Sequence, residues 1–206
     1  MIPADMRFIY IHGFNSSPAS FKAQQMRDWF ASQGAQDQLL VPALHHRPRR
    51  ALGQLKRLVD ESDAVTLIGS SLGGFYATWL AEHYPQVRAV LVNPAVAPHK
   101  LLNELLGECK NYHTGETYQL TLEHMSQLEY LYIDQPMHPE RLLLMQQEGD
   151  ETLDYRDAVQ YYNDSAQIVQ PGGSHAFDAF EQMLSPIMDF ATDQLDPQWL
   201  THSPQG

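Results

Sequence analysis

Short apolar runs alternate with amphipathic stretches along this chain. Arg7-Phe-Ile-Tyr-Ile11, Leu39-Leu-Val41, Ala64-Val-Thr-Leu-Ile68, Ala89-Val-Leu-Val92, Leu142-Leu-Leu-Met145 and Ala166-Gln-Ile-Val169 are nearly continuous apolar segments, as strands buried on both faces require. Between them, apolar residues recur at helical spacing: Ala19, Ala23, Met26 and Phe30; Ala51, Leu52, Leu55 and Leu58; Leu72, Phe75, Tyr76, Trp79 and Leu80. Ser17 as cap and Pro18 as first residue predict the start of the first helix, and Gly34 its end. A helix is expected over 154–162, and Phe177, Phe180, Leu184 and Ile187 predict a closing helix kinked or divided at Ser185-Pro186. This alternation predicts an α/β protein with a mostly parallel sheet and helices on both faces. The pattern breaks at 98–139, a Tyr- and Met-rich insertion with no strand for the sheet. Beyond Asp193 the chain turns polar and is expected to fray.

Composition narrows the picture. With 206 residues, 43% of them hydrophobic, the chain fits one domain over 1–206 with a sizeable core. A net charge of -12 argues against nucleic-acid or anionic-membrane partners and leaves a small-molecule substrate. Met1 to Met6 carries no apolar core of a secretory signal, and no apolar run reaches the roughly 18 residues of a membrane span. The single Cys109 has no internal disulfide partner, in line with a reducing, cytoplasmic location.

The candidate chemistry sits at the ends of the predicted strands. Gly69-Ser-Ser-Leu-Gly73 is a Gly-x-Ser-x-Gly pattern between an apolar strand and an amphipathic helix. That context lifts a serine hydroxyl above the sheet edge on a strained turn, which makes Ser71 the candidate nucleophile. Its partners belong at the carboxyl ends of other strands. Gly172-Gly-Ser-His175 supplies His175 as base, favoured over His12, which precedes the nucleophile where a main-chain donor is expected. Glu148, Asp150, Glu151 and Asp154 crowd the loop after the Leu142 strand. Position favours Asp150, directly after Gly149, over Asp154, which suits a helix cap. The backbone N–H groups of Phe14 and Leu72 are the expected oxyanion donors. Tyr112, Tyr118, Met125, Leu128 and Tyr130 either line an acyl pocket beneath the insertion or pack it onto the body. Arg47, Arg49, Arg50, Lys56 and Arg57 form a basic cluster suited to a phosphate-bearing leaving group or to solvent. No metal is expected: His45 and His46 are adjacent and should point apart, and no Cys pair or HExxH is present.

Taken together, Tyr10-Ile-His-Gly-Phe-Asn-Ser-Ser-Pro18, the stretch from Gly69 to Leu80, Asn93-Pro-Ala95, Tyr112-His-Thr-Gly-Glu116, Gly149-Asp-Glu-Thr-Leu-Asp-Tyr-Arg156 and Gly172-Gly-Ser-His-Ala-Phe177 resemble the YqiA-like esterases, a family of small bacterial α/β hydrolases. The resemblance spans about Met6 to Phe190. It implies an α/β-hydrolase fold, a serine esterase or thioesterase with Ser71, Asp150 and His175 as its triad, and no cofactor. A non-catalytic binding protein on the same fold and an acyltransferase with the same triad are the alternatives.

Overall fold

The computed structural model describes residues 2–111 and 113–201. In chain order they form β1 (Met6–Ile11), α1 (Phe21–Ser32), β2 (Leu39–Leu40), α2 (Pro48–Asp60), β3 (Ala64–Ser70), α3 (Leu72–His83) and β4 (Val87–Val92). The insertion follows with α4 (Pro98–Leu101), β5 (Gly107–Lys110), β6 (Thr117–Leu120) and α5 (Leu122–Leu131). The chain then completes its body with β7 (Leu142–Gln147), α6 (Tyr155–Tyr161), β8 (Ala166–Gln170) and α7 (Leu184–Ala191).

Six strands pair in the order β2-β1-β3-β4-β7-β8, all parallel. The register aligns their carboxyl ends, with Ile11 opposite Gly69, Ser70 opposite Val92 and Gln147 opposite Gln170. Residues that follow these strands therefore emerge along one edge. Alternate side chains of each strand enter separate cores, which is why the strands read as unbroken apolar runs. Ile9, Ile11, Leu67, Leu91 and Leu144 meet α2 and α3 on one face; Phe8, Tyr10, Ile68, Val90 and Met145 meet α1 and α7 on the other.

Three expectations from the sequence are corrected. First, α1 begins at Phe21 rather than at Pro18, because the hydroxyl of Ser17 accepts from Ala19 N (3.0 Å) and turns the chain before the helix starts. Second, the closing helix divides between Met183 and Leu184, with a 3-10 turn over Phe180–Met183, and Phe177 lies outside it. Pro186 falls in the first turn of α7, where a missing N–H leaves no helical bond unmade. Third, residues 194–201 dock instead of fraying, and the rest of the stretch expected to fray, 202–206, lies outside the described residues. Leu195, Trp199 and Leu200 pack on the core, while Thr201 N donates to Gln167 O (2.8 Å) and Thr201 Oγ1 accepts from Val169 N (3.0 Å), covering the outer edge of β8.

The insertion adds no strand to the main sheet; β5 and β6 form their own antiparallel hairpin, with Cys109 opposite Tyr118. Met125 and Leu128 are buried against the core that also holds Leu52 and Leu55 of α2, so α5 is packed onto the body. Tyr130 points to solvent, 87% exposed, and Tyr112 lies outside the described residues. Among the described residues no helix is long and apolar enough to cross a membrane.

Candidate active site

The turn from β3 to α3 holds Ser71 at φ 54°, ψ -118°, a conformation that costs an L-residue on the order of 1–3 kcal/mol and persists only where its surroundings enforce it. The surroundings here are backbone. Ser71 N donates to Val92 O (3.0 Å), and Ser71 O accepts from Gly74 N (2.9 Å) and Ala95 N (3.1 Å). A Cβ on Gly73 would lie 2.0 Å from Ile11 O, and one on Gly69 would lie 2.4 Å from Gly73 O, so only glycine lets helix and strands close around the serine.

His175 and Asp150 arrive from the ends of β8 and β7. Their two loops are stitched together by Gly149 N donating to Gly172 O (2.7 Å), a contact so close that a Cβ on Gly149 would meet Gly173 O at 2.4 Å. Asp150 Oδ1 accepts from Thr152 N (2.9 Å) and Leu153 N (2.8 Å), which leaves Oδ2 to face His175 Nδ1 at 2.8 Å. The carboxylate therefore accepts from Nδ1–H, and the Nε2 lone pair accepts from Ser71 Oγ–H at 3.1 Å. Burial raises the pKa of Asp150, but the bonds from His175, Leu153 and Thr152 outweigh it and hold the carboxyl below its ordinary value. Asp154 is elsewhere: it caps α6 through Arg156 N (3.0 Å) and pairs with the Arg156 guanidinium (3.2 Å). Glu151 also touches the histidine loop, accepting from His175 N (2.9 Å).

The loop after β1 lies against the serine. Gly13 is close enough that a Cβ there would sit 3.2 Å from Ser71 Cβ. Leu72 is the first residue of α3, where a backbone N–H has no acceptor within the helix. Phe14 follows Gly13 on the loop and, with Leu72, lines one small cavity. His12 is not free to act as a base: its Nε2 accepts from Leu44 N (3.2 Å), its Nδ1–H donates to Gly13 O (3.0 Å), and burial lowers its pKa. The insertion grips this loop by two side chains, Tyr118 Oη–H donating to Asn15 Oδ1 (2.7 Å) and Asn111 Nδ2 donating to Ser16 O (2.9 Å). A cavity of about 50 Å³ remains between Phe14, Leu72, Tyr76 and Tyr118.

His45 and His46 do not point apart as expected; in an irregular loop their rings lie 4.5 Å from each other, and His46 stacks on Tyr118 at 4.2 Å. The alternation argument holds only in regular structure, which this stretch lacks. Among the described residues no group of three or more His, Cys, Asp or Glu is arranged to hold a metal. Of the basic cluster, Arg47 pairs with Glu123 (3.0 Å) and Lys56 sits over the Trp79 ring at 5.7 Å. A larger open groove of about 770 Å³, lined by Val96, Leu101, Tyr132 and Leu153, adjoins the Asp150 loop. Sequence reasoning missed Asn93 and Gln147, both buried under the histidine loop. Polar residues closing otherwise apolar strands were the available signal.

A parallel six-stranded sheet with a strained serine at its central strand-to-helix turn places this protein in the α/β-hydrolase fold. Residues 7–192 match the model of the uncharacterised protein family UPF0227, the YqiA-like esterases, and the chain belongs to that family. Similar solved structures include a hydrolase from Agrobacterium vitis S4 (19% identity, 91% of each chain, TM-score 0.72). Est1E from Butyrivibrio proteoclasticus, solved with ferulic acid, aligns at 17% identity over 93% of this chain and 90% of its own, TM-score 0.69. Mouse alpha/beta hydrolase domain-containing protein 10 aligns at 16% identity over 95% and 92%, TM-score 0.72.

Proposed function

We propose that the protein is a serine hydrolase that cleaves carboxylic acyl esters or thioesters through an acyl-enzyme on Ser71. The observation that carries this reading is the continuous chain Ser71 Oγ, His175 Nε2, His175 Nδ1, Asp150 Oδ2, with contacts of 3.1 and 2.8 Å, mounted on a strained turn. Its support is chemical. As Ser71 Oγ attacks the acyl carbon, His175 takes the hydroxyl proton, and Asp150, kept ionised by its backbone bonds, stabilises the imidazolium. The developing oxyanion accepts from Phe14 N–H and Leu72 N–H. The tetrahedral intermediate collapses as His175 passes the proton to the leaving alcohol or thiol; water then attacks the acyl-enzyme by the same route in reverse. The structurally similar esterase domain of a Rhodothermus marinus protein agrees with this reading.

Ser71→Ala tests it. The variant should keep its fold and lose turnover of an activated acyl ester by roughly 10⁴-fold or more. A fluorophosphonate should label Ser71 in the native protein and nothing in the variant. Turnover close to normal in Ser71→Ala would exclude the mechanism, and a folded native protein that neither labels nor turns over would favour a ligand-binding role.

A further inference from the structure

We propose that two buried amides, Asn93 and Gln147, are positioning residues for His175; the inference rests on the serine-hydrolase reading. The segment that carries the imidazole has little regular structure of its own. It runs irregularly from the end of β8 at Gln170 to the 3-10 turn at Phe180, and Phe177 and Ala179 both have positive φ (62° and 56°). Its main-chain polar groups are instead matched by these two side chains.

Asn93 follows β4 at φ 42° and is fully buried. Its N donates to Met145 O (2.9 Å) and its Oδ1 accepts from Gln147 N (2.9 Å), so it extends the ladder one residue past the end of β4. Its Nδ2 donates to Ser174 O (2.9 Å) and to the carbonyl of His175 itself (3.2 Å). One N–H on one side and two carbonyls on the other admit a single amide orientation. Gln147, 4% exposed, repeats the arrangement from β7: its Oε1 accepts from Ser174 N (3.1 Å) and Asp178 N (2.8 Å), and its Nε2 donates to Asp178 O (2.9 Å) and Gln170 Oε1 (3.0 Å). The amide lies directly against the loop: a Cβ on Gly173 would lie 2.1 Å from Gln147 Oε1.

Five main-chain groups around the histidine, at Ser174, His175 and Asp178, are thus tied to the ends of β4, the neighbour of the elbow strand β3, and of β7, which leads to the acid. The 3.1 Å approach of Nε2 to Ser71 Oγ depends on where that main chain lies, and a displacement of about 1 Å in a reacting group can cost on the order of 10²-fold in rate.

Asn93→Gly separates this role from backbone strain, because glycine accepts φ 42° without cost and only the amide is removed. The expected result is a kcat about 10²-fold lower for an activated acyl ester with KM within about twofold, since the amide touches no substrate. The low-field proton resonance of the His175 Nδ1–H to Asp150 bond should shift or broaden in the same variant. Gln147→Glu, which sets a carboxylate oxygen against Asp178 O and Gln170 Oε1 where the donor stood, should lower kcat as well, leaving KM alike. Both rates are taken per site titrated with fluorophosphonate, so an unfolded fraction does not count. A labelled, active native protein whose Asn93→Gly variant keeps kcat per titrated site within about twofold and an unshifted resonance overturns the positioning role alone. A native protein that is folded but neither labels nor turns over overturns the hydrolase reading, and this inference with it.

Discussion

Ser71 and the loop that follows β1 meet across the same edge of the sheet but are held by opposite means. The serine is fixed from within: its main chain bonds to Val92 and Ala95, and glycines at 69 and 73 let β1, β3 and α3 close on it to contact distance. The loop bearing Phe14 is fixed from outside, by the Tyr118 and Asn111 side chains of the insertion. Position of Ser71 is therefore inseparable from the fold, whereas position of the Phe14 loop depends on a hairpin that adds nothing to the main sheet. A body of this fold can keep its elbow unchanged while an insertion adjusts the position of the loop opposite.

After the loss expected of Ser71→Ala, the next largest effect should come from breaking the inner side. Gly73→Ala places a methyl group 2.0 Å from Ile11 O, a backbone atom that cannot move aside. Overpacking of this kind costs about 1–3 kcal/mol, and at roughly 2–4 °C per kcal/mol for a chain of this size a thermal melt should record a lower midpoint together with lost fluorophosphonate labelling. Unchanged melting and labelling would mean that the elbow tolerates far more movement than its packing implies.

The outer side should respond more mildly and without unfolding. Tyr118→Phe deletes the single bond to Asn15, worth about 0.5–1.5 kcal/mol, so kcat should fall by roughly two- to twelvefold while the melting midpoint moves little. Combined with Asn111→Ala the losses should exceed the product of the two, because both bonds restrain one loop. Steady-state kinetics on the single and double variants measures this, and strictly multiplicative effects would argue that the two grips act on independent segments.

The smallest expected effect concerns pH. Burial, with His45 and His124 beside it, pushes the pKa of His46 down to about 4. The unfolded chain takes up that proton near 6.5, so between about 6.5 and 4 the unfolded state binds more protons and stability falls as the pH drops. His12 and His124 are shifted in the same direction. Asp150 works in a lower window: its carboxyl is held below the ordinary value, and its contribution is lost only as pH falls through that depressed pKa. Acid should accordingly loosen the insertion before the elbow. His46→Phe keeps a ring against Tyr118 that cannot protonate, and its melting midpoint should fall less between pH 7 and 5 than that of the native protein; an identical slope would place the acid sensitivity elsewhere.

Much of this was legible in the chain itself. Apolar runs bounded by Gly and Pro marked all six sheet strands, because a strand buried on both faces admits few polar residues. Gly-x-Ser-x-Gly, Gly149-Asp150 and Gly172-Gly173-Ser174-His175 stood at strand ends, so one parallel sheet sufficed to bring Ser71, Asp150 and His175 to one edge. Local chemistry determines such features, since period, turn and cap are decided within a few residues. The docking of residues 194–201 and the stacked His45 and His46 were not legible, because each depends on a neighbour far away in sequence, Thr201 on the open edge of β8 and the histidines on Tyr118; the start of α1 was hidden for a local reason, since the same Ser17 hydroxyl serves a turn through Ala19 N as readily as a helix cap. Asn93 and Gln147 belong to the same class. In the sequence they are polar residues where strands stop; only the packed molecule turns their amides toward the main chain of His175, because a buried N–H or carbonyl must find its partner wherever the fold provides one.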